Sequence, residues 1–316
     1  MSPEEKTRQV IDKKLKVSGW LLQDREVFNP AAALGVAVRE FSTDSGPVDY
    51  MLFVEKKPVA VVEAKKSDDG QNITSTEFQT LRYANSSLKW EAHLHTIRFA
   101  YEATDILTRF TDYTDVNEHS REVYSFHRPE TLLSLIKNSS TLRNRLKKFP
   151  AFDNRGFRDC QTRAIINLEN SFAANKPRAL IQMATGAGKT FAAITSAYRL
   201  LKHVKAKRIL FLVDTKNLGS QAEQEFLGCI PNDDHRRFSE LYNVRHLRSS
   251  LIPADSHVCI STIQRMYSIL KGEDMDESLE EISLNEQQIS LNPREVVYNE
   301  KYPPEFFDFI IIDECH

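Results

Sequence analysis

Residues 182–190 read Gln182-Met183-Ala184-Thr185-Gly186-Ala187-Gly188-Lys189-Thr190, a glycine-rich stretch set between the apolar run Arg178-Ala179-Leu180-Ile181 and a helical pattern running from Phe191 through Leu201. Buried strand, glycine loop and helix, in that order, predict a loop that holds phosphates. Gly186 and Gly188 let the backbone curl so that N–H groups around Thr185 and Ala187 point inward, and the helix adds the positive end of its dipole. Lys189 is placed to reach the β and γ phosphates, and Thr190 offers the hydroxyl that a phosphate-bound Mg²⁺ takes as a ligand. ATP is therefore the expected nucleotide. The first glycine of the general GxxxxGK[ST] pattern is Met183 here.

The chain's last residues, Phe309-Ile310-Ile311-Ile312-Asp313-Glu314-Cys315-His316, form an apolar strand that ends in two carboxylates. An acid at a strand end beside a phosphate loop holds Mg²⁺ through water, and the next acid polarises the water that attacks the γ-phosphate. Asp313 is accordingly assigned to the metal and Glu314 to the base. Arg208 to Asp214 and Val258 to Thr262 also read as buried strands ending in polar residues, the arrangement of a parallel sheet whose C-terminal edge forms the site.

At 316 residues the chain is long enough for two domains, each with its own core. Its 42 basic and 44 acidic residues nearly cancel, so a nucleic-acid surface has to be a local patch. Between Ser140 and Ala164, Arg143, Arg145, Lys147, Lys148, Arg155, Arg158 and Arg163 face only two acids, which makes this run the candidate patch. Cys160, Cys229, Cys259 and Cys315 lie far apart with no CxxC, against a zinc site or a disulfide framework, and are expected to be reduced and buried. The start carries no apolar signal region and nothing approaches a membrane span in length, so no membrane partner and a cytoplasmic location are expected.

The N-terminal half has a second chemical centre. Ser2-Pro3-Glu4-Glu5 reads as a helix start with Ser2 as cap and Glu5 at the capping-box position. Val48 to Val54 and Pro58 to Lys65 are strand-like runs joined by Glu55-Lys56-Lys57, the spacing of a hairpin. With the turn centred near Lys56, Asp49 falls opposite Glu63, and the two-residue pleat puts Lys65 on Glu63's face. Opposed carboxylates weaken a hairpin unless a cation lies between them. Mg²⁺, held by Asp49, Glu63 and the carbonyl of Ala64, is the expected occupant, with Lys65 positioned to orient or deprotonate a water for phosphodiester hydrolysis. An ordinary charged face of an edge strand would show the same residues. The capping box Thr74-Ser75-Thr76-Glu77, opening a helix that carries Gln79 and Tyr83 four apart on one face, favours the site.

Asp49, Glu63-Ala64-Lys65 and Gln79…Tyr83 resemble the D…ExK…QxxxY pattern of PD-(D/E)xK nucleases. Val48-Asp49-Tyr50 followed by Pro58 to Lys65 is similar to the N-terminal domain of type I restriction enzyme R (HsdR) subunits. The resemblance implies that Asp49 and Glu63 bind metal, that Lys65 is catalytic and that Gln79 and Tyr83 support the site or contact DNA. It also implies an acid in the first helix, for which Glu5 is the best match. Val48 stands where the class name has proline.

The second half is similar to superfamily-two helicase-like motors, whose AxTGxGKT loop does not need the first glycine. Phe157-Arg158-Asp159-Cys160-Gln161 resembles the element that reads adenine, implying Gln161 for the base with Arg158 beside it. Leu218 to Gln221 and Thr262-Ile263-Gln264 resemble motifs that grip the DNA backbone. The acidic run from Gly272 to Glu286 is expected to be an exposed insertion that avoids DNA. The expected architecture is α/β: a nuclease-like mixed sheet over residues 1–150, then a RecA-like parallel-sheet domain over 151–316. No second motor domain is visible in the sequence, so this chain is expected to turn over ATP poorly by itself. The family implies double-stranded DNA and the methylation and specificity subunits as partners. A free-standing nuclease-helicase of repair or defence, and a non-catalytic nucleotide-dependent docking module, are the alternatives.

Overall fold

The computed structural model describes residues 3–43, 46–65, 97–115, 119–273, 275, 280–281 and 298–313. The chain divides into two compact units, Met1–Thr141 and Leu142–His316. The split precedes the expected boundary near residue 150. Helix α3 (Leu142–Leu146) buries Leu146 in the second core, and Arg145 Nε donates to the carbonyl of Val204.

The first unit is one mixed sheet of seven strands lying in chain order. They are β1 (Leu21–Gln23), β2 (Gly35–Thr43), β3 (Gly46–Val54), β4 (Lys57–Ala64), β5 (Phe99–Ala103), β6 (Thr108–Asp112) and β7 (Arg121–Val123). β1 and β2 pair parallel, as do β4 and β5, and the other neighbours are antiparallel. Side-chain alternation feeds two cores. Tyr50, Leu52, Ala60 and Val62 face one, with Ile11 and Leu15 of helix α1 (Pro3–Val17) and Leu132 of helix α2 (Pro129–Lys137). Met51, Phe53 and Val61 face the other with Val36 and Val38. Both faces are therefore apolar, and β4 lies mid-sheet rather than at an edge.

The β3–β4 hairpin closes through Glu55 and Lys56, whose φ values of 48° and 69° suit a two-residue turn matching the twist of the flanking strands. Such a turn pairs Val54 with Lys57 and Phe53 with Pro58, but beyond a register shift Leu52 pairs with Ala60 and Tyr50 with Val62. Pro58, which has no N–H for the ladder, sits at this irregularity. Continued without the shift, the turn's register would set Asp49 against Val62. The extra residue sets it against Glu63.

The second unit has a four-stranded, all-parallel sheet in the order β11-β8-β10-β9. These are β8 (Ile209–Val213), β9 (Val244–His246), β10 (Val258–Thr262) and β11 (Phe309–Ile312). Helix α4 (Asp159–Ala173) precedes the glycine loop and α5 (Lys189–His203) follows it. Ile194, Ala197, Leu201 and Val204 of the α5 region pack on Ile209, Phe211, Val258 and Ile260, so one apolar stripe fixes the loop's helix to the sheet.

The strand expected just before the glycine loop does not form. Arg178 to Ile181 is coil, with Leu180 81% exposed and Ile181 42%. A buried parallel strand needs ladder partners, and this run pairs with no described strand. β11 is the sheet's edge, with Ile310 and Ile312 exposed. The acidic run is not uniformly exposed either, since Glu280 is only 3% exposed. Cys160 and Cys229 are half-buried and Cys259 is buried, all as free thiols, and Cys315 lies outside the described residues. Among the described residues no helix is long and apolar enough to cross a membrane.

Candidate functional site

In the first unit the hairpin brings two carboxylates together and β5 sets a third beside them. Asp49 is part-buried, its Oδ2 accepting from the amide of Ala64 at 2.9 Å and its Oδ1 from Arg8 of α1 at 2.9 Å. Glu63 is 5% exposed, and its Oε1 is buried without a hydrogen-bond partner. Parallel pairing of β4 with β5 sets Glu102, 7% exposed, directly beside Glu63. Burial, then the charge of Asp49, push the Glu63 carboxyl up from its ordinary 4.5 to about 7, with Lys65 opposing and Glu102 adding to the rise.

Lys65 follows β4, its amide donating to the carbonyl of Ala103 at 2.8 Å. Its charge lowers the Glu63 carboxyl's tendency to hold a proton. Glu5 is exposed on α1, whereas Arg8, one turn further on, reaches the site and bridges Asp49 to Glu40. Asp12, the acid of α1 that faces the sheet, is committed to Arg39 and to the Tyr50 hydroxyl. Gln79 and Tyr83 lie outside the described residues. Glu102 is missing from the sequence-based set because its nearness to Glu63 depends on pairing between strands distant in the chain.

Among the described residues no group of three His, Cys, Asp or Glu side chains is arranged to hold a metal ion by itself. The donors nevertheless fit a hard divalent cation. They are all oxygen, one is an orphaned buried carboxylate atom, and the neighbouring carboxylate already draws a guanidinium onto itself.

In the second unit Gly186 and Gly188 take φ of 73° and 82°, the left-handed region that glycine adopts without strain. Gly188 caps α5 with no side-chain hydrogen bond, and Lys189 and Thr190 open the helix at the positive end of its dipole, where an anion is favoured. The loop is fastened from below. Gln161 Nε2 donates to the carbonyl of Ala187 at 3.0 Å, Arg158 Nη1 donates to that of Gly186 at 2.7 Å, and Gln161 Oε1 accepts from the Arg158 amide. The two residues expected beside the base thus spend polar atoms on shaping the loop. A pocket lined by Phe152, Phe157, Phe191, Thr195 and Asn232 flanks the first turns of α5, with the Phe157 and Phe191 rings stacked at 4.9 Å.

Asp313 ends β11, its amide donating to Leu212 of β8 at 2.9 Å. Glu314 lies outside the described residues. The candidate basic patch is partly consumed internally, Arg143 by Asn175, Arg145 by Val204 and Arg155 by Asp153.

The family model described as type III restriction enzyme, res subunit, matches residues 155–316, more than half of the chain. The chain belongs to the restriction-enzyme R-subunit family. Its first half matches a second model, the second domain of the type I restriction enzyme EcoKI endonuclease subunit, over residues 22–107. The EcoKI endonuclease subunit of Escherichia coli K12 is 26% identical to this R-subunit chain over 99% of its length, covering 29% of the relative. The EcoAI endonuclease subunit of Escherichia coli is 32% identical over 49% of the chain and 15% of the relative. A fragment structure of a putative HsdR subunit from Vibrio vulnificus aligns with the whole chain and 52% of its own, at 21% identity and a TM-score of 0.33. The chain thus spans less than a third of these curated relatives.

Proposed function

We propose that this chain carries the nuclease site and the first nucleotide-binding domain of a type I restriction endonuclease subunit. The substrate is double-stranded DNA, moved by ATP hydrolysis and cut by Mg²⁺-dependent phosphodiester hydrolysis, in assembly with methylation and specificity subunits. The observation that carries this reading is the buried, unpartnered carboxylate oxygen of Glu63 opposite Asp49 on a mid-sheet hairpin, which has no purpose in an apolar core.

Asp49, Glu63 and the Ala64 carbonyl would hold Mg²⁺, with Glu102 adding charge behind them. When bound, the ion stabilises the charge that develops on the scissile phosphate. Lys65 orients the attacking water and takes up or relays its proton. In the second unit the amides of the Gly186–Thr190 loop, Lys189 and the Thr190 hydroxyl hold the nucleotide phosphates, Asp313 and Thr190 hold its Mg²⁺, and Glu314 orients the hydrolytic water. Gln161 and Arg158 hold the loop carbonyls, so the base falls to the aromatic pocket at Phe157 and Phe191.

Plasmid cleavage with Mg²⁺ or Mn²⁺, wild type against Lys65→Ala, tests the nuclease site. Loss of the positioned lysine is expected to slow cutting about a hundredfold. Equal cutting by both proteins would remove Lys65, and with it this site, from the reaction.

A further inference from the structure

The N-terminus of helix α6 (Ile263–Lys271) lies at the C-terminal end of β10 and is built from groups that bind anions. Thr262 caps it, accepting from the Arg265 amide at 3.1 Å. Here the site has an occupant from the same chain. Thr262 Oγ1 donates to Glu280 Oε1 at 2.7 Å, and Arg265 Nη2 donates to Glu280 Oε2. All three residues are buried, Thr262 at 1%, Arg265 at 6% and Glu280 at 3% exposure.

The site offers more than a carboxylate can use. Gln264 is 4% exposed with both side-chain amide atoms unpartnered, and Arg265 Nε is also buried without a partner. A hydroxyl and a guanidinium converge there on a helix N-terminus, and the guanidinium's Nε is left over, a donor set suited to the several oxygens of a phosphodiester. Two carboxylate oxygens leave part of it unsatisfied, and each orphaned polar atom is unfavourable. We propose that Glu280 is a built-in surrogate for a DNA backbone phosphate, seated on Thr262 and Arg265, and that a duplex must displace it to bind there. The inference rests on the reading of this chain as a DNA-binding motor subunit. It makes Glu280 a competitor for DNA rather than a bystander.

An internal plug seated nine-tenths of the time weakens apparent affinity about tenfold. In fluorescence anisotropy with a short duplex at low salt, Glu280→Gln in the full chain is therefore expected to tighten binding about tenfold. Arg265→Ala is expected to weaken binding, to cancel the gain when combined with Glu280→Gln, and to lower the salt slope by about one. Weakening by Arg265→Ala without tightening by Glu280→Gln would overturn the displacement and leave the DNA contact standing. No effect of Arg265→Ala, or no binding by any form, would overturn the contact itself and the inference with it. Hydrogen exchange on the wild type needs no variant to fold. Saturating duplex is expected to raise exchange in the peptide containing Glu280 and Glu281, and unchanged or lowered exchange there overturns the proposal.

Discussion

Glu63→Gln is expected to make the metal-free chain more stable at pH 8 and, in the same protein, to reduce Mg²⁺-dependent DNA cleavage about a thousandfold. Folding takes the Glu63 carboxyl from its ordinary 4.5 to about 7, because it is buried beside Asp49 and Glu102. Between those two values the unfolded chain releases a proton that the folded chain keeps, so stability falls as pH rises through the window and stays low above it. The shift corresponds to roughly 3 kcal/mol. Glutamine occupies nearly the same volume and does not titrate, so the variant's melting temperature should lose this pH dependence. The two proteins should converge near pH 4 and diverge most above pH 7.

The same substitution halves the anionic pair that would hold the cation. About 4 kcal/mol of transition-state stabilisation lost with the metal corresponds to the thousandfold decrease. Addition of Mg²⁺ at pH 8 should raise the melting temperature of the wild type and leave that of Glu63→Gln unchanged. Thermal melts from pH 4 to 8, with and without Mg²⁺, supply the comparison. A wild type that gains stability relative to Glu63→Gln as pH rises would contradict the buried, repelled carboxylate described here.

Gly188→Ala is expected to reduce ATP affinity about a hundredfold, and Gly186→Ala only about tenfold. Both glycines have positive φ, so alanine at either position carries a backbone cost of about 1–2 kcal/mol. The surroundings then separate them. A Cβ on Gly186 meets nothing within 4 Å, whereas a Cβ on Gly188 would lie 2.2 Å from Gln161 Nε2. Relief of that overlap moves Gln161 off the Ala187 carbonyl and releases the loop it holds. The added cost, about another 1–2 kcal/mol, supplies the further tenfold. Titration with a fluorescent ATP analogue reads both values. Equal losses, or the larger loss at Gly186, would mean that Gln161 does not shape the loop.

The local elements of both units are legible in the sequence because they follow from neighbours along the chain. Glycines that must take positive φ, the period of Phe191 to Leu201, and apolar runs punctuated by Glu55-Lys56 and by Asp313 predict a phosphate loop, a helix, a hairpin and a strand end without knowledge of any partner. From these the α/β class and the parallel sheet of the second half followed, whereas the mixed sheet of the first half is what the resemblance to PD-(D/E)xK nucleases implied. Tertiary structure decided what depends on pairing. Asp49 opposes Glu63 only because an irregularity at Pro58 adds a residue to one strand, and a slip of one residue would have turned the acids to opposite faces. Glu102 stands beside Glu63 only through the parallel ladder of β4 and β5. Arg178 to Ile181 has a strand's composition but remains coil without a ladder to join, and Glu280 lies within an acidic run yet is buried because Thr262 and Arg265 receive it. Composition sets what a segment can bury, and only the groups that meet it in space determine whether it does.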